Sequence, residues 1–554
     1  MVRKQLRDYW NSFSFVGLTV AAIFFAASVT PSLLPRPYLV QGILSGFAIA
    51  IGYSLGVALV LLYQFLEMPD PSEKLEKVSR IVTIVSVSIV VVVFLRHMAF
   101  WQDSIRERME MPLVESTYLY RTALIALVTA AVLIAFTRLL IHSCGVVSSW
   151  LNRLLPRRVS IVLSTVLVVG LLVLIGNGLV MRFVLRVADA FFLQSDGMVD
   201  DGVARPDESL TTGSAESLIE WDSIGRRGKN FIATGPTKES IEKFLGREAK
   251  SPIRVYAGMN CGETPRARAE LTLKELIRVG AFERSILIVA TPTGTGWLDP
   301  GGVDTVEYLH AGDTAIVSTQ YSYLPSWMTI VVEPRRSIDS ADALFDVVYS
   351  YWKTLPKDAR PKFYVHGLSL GALGSEVSAD MYAMFEDPIQ GAVWSGPPFP
   401  STKWKSIVSH RNLDSPEWLP TFRDSRIIRF TAQHDSLDNG KPWGRVRYVY
   451  IQHASDPMVF FSPALLYVKP SWLAEPRGHD VSPYLKWFPL ITFLQIAFDL
   501  PVATSIPPGY GHNYSPVNYI DAWIAATQPP NWSRDDTERL KSHFQATGPS
   551  PESF

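Results

Sequence analysis

Two stretches of the chain carry the pattern glycine–any residue–serine–any residue–glycine, GYSLG at 52–56 and GLSLG at 367–371. This pattern can hold a serine on a sharp turn between a strand and a helix, where its hydroxyl is exposed for attack on an ester carbonyl. A serine hydroxyl becomes nucleophilic only when a base takes its proton and a carboxylate orients that base. The chemistry that Ser54 and Ser369 suggest is therefore acyl transfer through a covalent intermediate.

The flanking sequence distinguishes the two serines. Ser54 lies within GFAIAIGYSLGVALVLLY, which reads as one continuous membrane helix. Glycines four residues apart share one face of a helix and let a neighbouring helix approach closely, which we expect at two such pairs: Gly52 and Gly56, and Gly42 and Gly46. Ser369 instead follows the strand-like run KFYVH and precedes the helical run GALGSEVSADMYAMF. We therefore predict that Ser369 is the nucleophile and that Ser54 has a structural role.

The base is sought downstream, because the carboxylate and then the histidine follow a serine of this kind along the chain. Three downstream histidines lie in loops: His434, His479 and His512. Only His512 follows the last long amphipathic stretch, residues 484–500, and it stands in the Gly- and Pro-rich sequence PPGYGHNYSP. We predict His512 as the base, with His479 as the alternative.

The carboxylate is predicted from the run RYVYIQHASDPMVFF, in which residues 447–453 have strand character. Asp456 follows in the loop just past this strand, on the side of a parallel sheet where ligands bind. Asp435 and Asp438 are alternatives, because residues 426–431 also have strand character.

A tetrahedral intermediate also requires two N–H donors for its oxyanion. The first is predicted at Leu370, where the helix after the nucleophile begins. The second is predicted in TPTGTGW, the loop after the strand SILIVA, at Thr293, Gly294 or Thr295. Aromatic side chains near these positions are predicted to line an apolar substrate site: Trp297, Trp394 and Phe460, with Tyr321, Tyr323, Trp327 and Phe461 as further candidates.

Other classes of function find little support in the sequence. The dinucleotide pattern G-x-G-x-x-G is incomplete, because Asp299 stands where the third glycine is needed, and no HExxH, paired-cysteine or Walker lysine motif occurs. We therefore predict no metal and no cofactor. The 52 Lys and Arg residues balance 52 Asp and Glu residues, which argues against a nucleic-acid partner.

The first third of the chain has the composition of a membrane protein. Five apolar segments are predicted to span a bilayer, which takes about 20 apolar residues per helix; they run over residues 12–34, 38–66, 81–95, 119–141 and 159–181. With the N-terminus in the cytoplasm, more of the Lys and Arg residues fall in cytoplasmic loops, which puts the rest of the chain outside. The predicted domains are a transmembrane domain at 1–192, a linker at 193–227, a catalytic domain at 228–540 and a tail at 541–554.

The catalytic region resembles the α/β-hydrolase superfamily in GLSLG, in GAVWSGPP after the next strand, in SDP at 455–457 and in GYGH ending at residue 512. The whole chain resembles bacterial proteins that join a multi-span membrane N-terminus to such a domain. The resemblance implies a helical transmembrane bundle followed by a mostly parallel sheet with helices on both faces. It implies an ester or thioester hydrolase, or an acyltransferase with the same acyl-enzyme, and the membrane spans favour a lipid or long-chain acyl substrate. A non-catalytic membrane sensor or scaffold, or a transporter with an external domain, is the alternative.

Overall fold

The computed structural model describes residues 12–69, 72–114, 116, 118–174, 196–324, 328–330, 333–379 and 384–547. The chain divides into two compact units. The first comprises Met1–Leu185, Phe461–Leu473 and His479–Val502, and the second comprises Arg186–Phe460, Ala474–Gly478 and Ala503–Phe554.

The first unit is built from helices with long apolar surfaces. Within the described residues, four of them are long and apolar enough to cross a membrane: Tyr38–Phe65, Glu73–Met109, Leu119–Leu151 and Arg157–Leu174. The segment predicted as the first span forms a shorter apolar helix, Phe15–Ser28, and a second short one, Ile491–Val502, comes from much later in the chain. The predicted number of about five spans is thus supported for four helices by their length, and part of the fifth predicted segment, 159–181, lies outside the described residues.

The third helix is longer than its predicted apolar segment. Residues 81–95 lie inside the α-helix Glu73–Arg106, because helix-forming polar sequence continues the apolar run at both ends. Glu73 and Glu76 stand in its first turn and Arg106 in its last, where each charge is favourable in the field of the helix dipole.

The predicted role of the small residues around Ser54 is confirmed. A Cβ atom added at Gly46 would lie 2.5 Å from Cβ of Thr129 in the helix Leu119–Leu151, and one added at Gly56 would lie 2.6 Å from Cα of Gly17 in the first helix. Close neighbours also surround the two remaining predicted positions, at 2.7 Å for Gly42 and 2.9 Å for Gly52. Ser54 Oγ donates to the carbonyl oxygen of Ala50 within the same helix, at 2.9 Å. This serine therefore lies within a continuous helix, with its side chain exposed and bonded back to the preceding turn.

The second unit is organised around a seven-stranded parallel sheet. The strands are β1 (Ile253–Ala257), β2 (Ile286–Thr291), β3 (Thr314–Thr319), β4 (Lys362–Leu368), β5 (Gly391–Ser395), β6 (Ile428–Thr431) and β7 (Arg447–Ile451). Their order in the sheet is β1-β3-β2-β4-β5-β7-β6. The last two strands are interchanged relative to their order in the sequence, so that β7 pairs with β5 and β6 forms an edge. Nearly every strand position is buried, as expected for a parallel sheet that is covered on both faces.

Helices connect and flank these strands, as βαβ units require. Pro at the first turn and a side-chain cap begin several of them, for example Thr264 before Pro265 and Ser515 before Pro516. The α-helices of this unit are Arg226–Ala233, Lys238–Leu245, Pro265–Arg278, Pro300–Leu309, Arg335–Thr354, Leu370–Ser378, Thr402–Ser409, Pro457–Phe460, Pro516–Thr527 and Arg534–Thr547.

Two segments are placed differently from the predicted domain boundaries. Residues 196–227, part of the predicted linker, fold onto the second unit: Trp221 and Ile224 are buried there, and Ser217 Oγ donates to Glu275 at 2.7 Å. Residues 461–473 and 479–502, predicted within the catalytic domain, pack into the first unit instead. Both differences depend on the tertiary structure, because the local sequence of neither segment indicates which unit it packs against.

Candidate active site

Ser369 occupies a strained turn between β4 and the helix Leu370–Ser378. Its backbone has φ +58° and ψ −124°, a conformation that costs a residue with a side chain about 1–3 kcal/mol. A Cβ atom at Gly367 would lie 2.3 Å from the carbonyl carbon of Gly371, and one at Gly371 would lie 2.1 Å from the carbonyl oxygen of Thr291. Only glycine fits at either position, which explains why the motif needs both.

Asp456 lies in the loop after β7 and its side chain is completely buried. Its Oδ1 accepts a hydrogen bond from the N–H of Met458 at 2.8 Å. Its Oδ2 accepts from His512 Nδ1 and from the hydroxyl of Tyr514, each at 2.7 Å. This carboxylate is therefore fixed by three donors, one of which is the imidazole predicted as the base.

The two alternative carboxylates lie beyond the edge strand. Asp435 and Asp438 follow β6, which is separated from β5 by β7. Asp435 Oδ1 accepts from the N–H of Leu437 at 2.9 Å, a contact typical of a local turn. Of the three candidates, Asp456 is the one that the structure brings to His512.

His512 is held by the loop on either side of it. Its N–H donates to the carbonyl oxygen of Ala503 at 2.9 Å. The preceding Gly511 donates its N–H to Ser455 Oγ at 2.8 Å and accepts from His453 Nδ1 at 2.9 Å. The histidine loop is thus bonded directly to the loop that carries Asp456.

Ser369 and His512 meet the same turn at the end of β5. The N–H of Ser369 donates to the carbonyl oxygen of Ser395 at 2.9 Å. A Cβ atom at the next residue, Gly396, would lie 2.6 Å from Cε1 of His512. Ser369 Oγ and His512 Nε2 are both buried, and neither has a hydrogen-bond partner within the described part of the chain. His479, which the sequence offered as the alternative base, belongs to the first unit.

The predicted oxyanion donors are partly in place. Leu370 is the first residue of its helix, so its N–H has no partner within that helix. The loop after β2 passes the nucleophile turn, with the Thr291 and Pro292 carbonyl oxygens close to Gly371. The N–H of Thr293, however, donates to the carbonyl oxygen of Trp297 at 2.9 Å, which removes it from the predicted donors in this conformation. Gly294 and Thr295 lie in the turn that this bond closes.

The predicted aromatic lining is largely core. Trp394 is fully buried in β5, its indole N–H donates to Ser375 Oγ at 2.9 Å, and its ring packs between Tyr448 and Tyr450. This prediction is wrong, because a side chain in the middle of the sheet leaves no surface for a substrate. Phe460 is also buried and contacts Trp404 edge-to-face.

Of the three predicted lining residues, Trp297 borders a cavity whose volume is about 440 Å³. Tyr321 is buried, Phe461 contacts Phe493 in the first unit, and Trp327 lies outside the described residues. The cavity lies between the loop that follows β2 and the loop that carries His512. Asn513 and Tyr514, which follow His512, form part of its wall.

Burial sets the protonation of groups around the site. Burial and the neighbouring Asp456 charge raise the pKa of Tyr514 well above its ordinary value, so its hydroxyl remains a donor. Burial lowers the pKa of His366 to about 4, and its Nδ1 contacts the Val393 carbonyl oxygen, which makes this histidine a neutral core residue. Burial raises the pKa of Asp299 to about 7.

Four residues of the site were missed by sequence reasoning: Gly396, His453, Ser455 and Tyr514. Each acts through a contact to a residue far along the chain or through backbone geometry. Gly396 and Ser455 lie within the quoted runs GAVWSGPP and SDP, but neither run by itself identifies the residue that they contact. Among the described residues, no group of three or more His, Cys, Asp or Glu side chains is placed to hold a metal ion.

Two regions of the chain match models of one protein family. Residues 253–540 match a family model described as alpha/beta-hydrolase family, and residues 29–236 match one described as the N-terminus of that family. No curated protein and no solved structure matches the chain significantly.

Proposed function

Because the chain belongs to the alpha/beta-hydrolase family, we propose that it is a membrane-associated serine hydrolase that cleaves acyl esters through a covalent acyl-enzyme. The observation that carries this proposal is the arrangement of three residues. A buried Asp456 carboxylate lies 2.7 Å from His512 Nδ1. Ser369 stands on a strained turn, and its N–H donates to Ser395, the residue before the glycine that lies against His512.

In the proposed reaction Ser369 Oγ attacks the acyl carbonyl while His512 Nε2 takes its proton. The bond between the carbonyl carbon and the leaving oxygen then breaks, and His512 returns the proton to that oxygen. Water repeats the sequence on the acyl-enzyme, which releases the acid and restores the serine. Asp456 holds Nδ1 protonated and stabilises the imidazolium that forms in each half-reaction.

The negative charge of the tetrahedral intermediate needs donors that are fixed before the reaction begins. The N–H of Leu370 is one, and the positive end of the helix Leu370–Ser378 adds to it. Thr295 in the loop after β2 is the proposed source of the second. Transfer of the acyl group to an alcohol instead of water would use the same intermediate.

Labelling with a fluorophosphonate probe tests the proposed nucleophile. The probe reacts with an activated serine, so the wild-type protein should be labelled and Ser369→Ala should not. Ser54→Ala is the matched control, because it changes the serine of the second glycine–serine–glycine pattern and should be labelled like the wild type. Equal labelling of wild type and Ser369→Ala, or no labelling of the folded wild type, would rule the proposal out.

The same proposal puts the catalytic domain outside the cytoplasm, on the basis of the Lys and Arg bias described above. Leu413 offers a test, because its side chain is completely exposed (105%) in the second unit. With Cys144 and Cys261 replaced by serine, Leu413→Cys should react with a membrane-impermeant maleimide in intact cells. Reaction only after the cells are lysed would place the domain on the cytoplasmic side.

A further inference from the structure

We propose that the 440 Å³ cavity beside the catalytic residues binds an anionic group of the ester substrate, a carboxylate or a phosphate, and that Arg227 is the residue that recognises it. The proposal rests on the serine hydrolase function proposed above and specifies its substrate class. The cavity is bordered by Trp297 after β2 and by Asn513 and Tyr514 next to His512, so it adjoins both loops of the proposed catalytic machinery.

Two arginines line this cavity, and of the two only Arg254 forms ion pairs within the described residues. Arg254 donates to Glu307 at 2.8 and 2.6 Å and to Asp304 at 2.5 Å, so two carboxylates balance it. Arg227 forms no hydrogen bond or ion pair with any residue that the structure describes. Its electrostatic neighbours are Asp200 and Asp196, together with the adjacent Arg226.

The carboxylate with the largest favourable effect on the Arg227 charge is Asp200, which is already engaged by other donors. Asp200 accepts hydrogen bonds from Arg226 Nε at 2.6 Å and from Asn230 Nδ2 at 2.5 Å. Burial and the like charge of Arg226 lower the pKa of Arg227, which means that its cation is held in an unfavourable environment. An anionic ligand in the cavity would relieve both effects.

The carboxylates that line the cavity leave room for such a ligand. Asp304 is paired with Arg254, Asp200 with Arg226, and burial raises the pKa of Asp299 to about 7, which lowers its negative charge near neutral pH. Asp201 also lines the cavity, but its side chain is exposed, whereas Arg227 is half-buried. A guanidinium presents planar paired donors that suit both carboxylate and phosphate oxygens.

The test compares ester pairs that differ in one charge. A water-soluble pair is the p-nitrophenyl half-ester of glutaric acid and p-nitrophenyl pentanoate, and a lipid pair is phosphatidylglycerol and diacylglycerol, which lacks the phosphate, in mixed micelles. For each pair the readout is the ratio of kcat/KM for the anionic ester to that for the uncharged one. Arg227→Gln should lower this ratio by about 10-fold to 100-fold for at least one pair, as expected for loss of a charged hydrogen bond. The pair that responds identifies a soluble or a lipid source of the anion.

Two variants serve as controls. Arg227→Lys keeps the positive charge, so its ratio of kcat/KM values should lie closer to that of the wild type than the ratio of Arg227→Gln does. Arg284→Gln removes one positive charge from an arginine that bonds the Ser251 carbonyl oxygen away from the cavity, and should leave the ratio within about twofold. If Arg227→Gln leaves both ratios within twofold, the inference is overturned. Fluorophosphonate labelling of Ser369 in the same samples separates that outcome from failure of the hydrolase proposal.

Discussion

The hydroxyl of Tyr514 lies 2.7 Å from Oδ2 of Asp456, the same oxygen that His512 Nδ1 contacts. The tyrosine is two residues beyond the histidine, so one short loop supplies both donors to the carboxylate. Its ring also stacks on His453, with centroids 4.4 Å apart, which fixes the hydroxyl in place. Tyr514 thus positions the acid of the proposed triad.

Tyr514→Phe should lower kcat/KM by about 10-fold, because a hydrogen bond to a charged group contributes about 1.5–3 kcal/mol and the carboxylate keeps its other donors. Ester hydrolysis by the purified protein measures the effect. Tyr467→Phe, which removes an exposed hydroxyl, is the control and should retain full activity. A fully active Tyr514→Phe variant would show that this contact does not support the reaction.

Gly396→Ala should slow fluorophosphonate labelling by about 100-fold or more, because the added methyl group would lie 2.6 Å from Cε1 of His512 and displace the imidazole. Gly396 has φ +52°, so backbone strain of about 1–2 kcal/mol adds to the clash. Gly509→Ala separates the two effects, since Gly509 also has a positive φ but its nearest neighbour would be 3.8 Å away. Similar labelling rates for both variants would contradict the proposed position of His512.

Asp299 should make the stability of the protein depend on pH. Its pKa is raised by burial to about 7 in the folded chain and is about 3.9 when unfolded, so the folded state binds an additional proton between these values. The protonated carboxyl group therefore stabilises the folded chain fully below a pH of about 4. This contribution to the free energy of unfolding is lost as the pH rises through about 7, and the total loss is at most about 4 kcal/mol.

Asp299→Asn should therefore flatten the decrease of melting temperature between pH 4 and 8, as measured by thermal denaturation in detergent. Asp414→Asn, at an exposed carboxylate, should leave the wild-type dependence unchanged. The hypothesis fails if Asp299→Asn and the wild type lose stability equally over this range.

Asp499→Leu should destabilise the first unit by about 3–5 kcal/mol, because it leaves the charge of Arg36 buried without compensation. The two side chains are completely buried, with Arg36 Nε 3.3 Å from Asp499 Oδ1, and no nitrogen of the Arg36 side chain has a hydrogen-bond partner in the described residues. Detergent melting curves provide the measurement. The double variant with Arg36→Met should recover most of the loss, and a double variant as unstable as Asp499→Leu would refute this account.

The features that could be predicted from the sequence are those that depend on short runs of residues. The strand–turn–helix context of Ser369, the parallel sheet and the close packing at the membrane glycines follow from side-chain size and periodicity over about ten residues. The order serine, aspartate, histidine limited the search to residues after Ser369. The strand before Asp456 and the Gly- and Pro-rich loop around His512 then favoured these two residues, which the structure brings into contact. The resemblance to the alpha/beta-hydrolase family is confirmed by the family match.

Relationships between distant segments depended on the tertiary structure. Strand pairing decides that β7 lies between β5 and β6, and therefore that Asp456, and not Asp435, approaches the histidine loop. Strand pairing also buries Trp394 within the sheet, although the sequence suggested that this aromatic side chain lines the substrate site. Residues 461–502, between the acid and the base, largely join the first unit, where Gln495 bonds the Thr30 carbonyl oxygen at 2.9 Å.

The sequence by itself determined which residues have the chemistry of a serine hydrolase and which helices can enter a membrane, because hydroxyl, imidazole and apolar character are properties of single residues and short runs. The tertiary structure decided which residues meet, including Tyr514 with Asp456 and Gly396 with His512. Such contacts join positions more than fifty residues apart, and their free energy comes from burial and hydrogen bonds that exist only once the chain has folded.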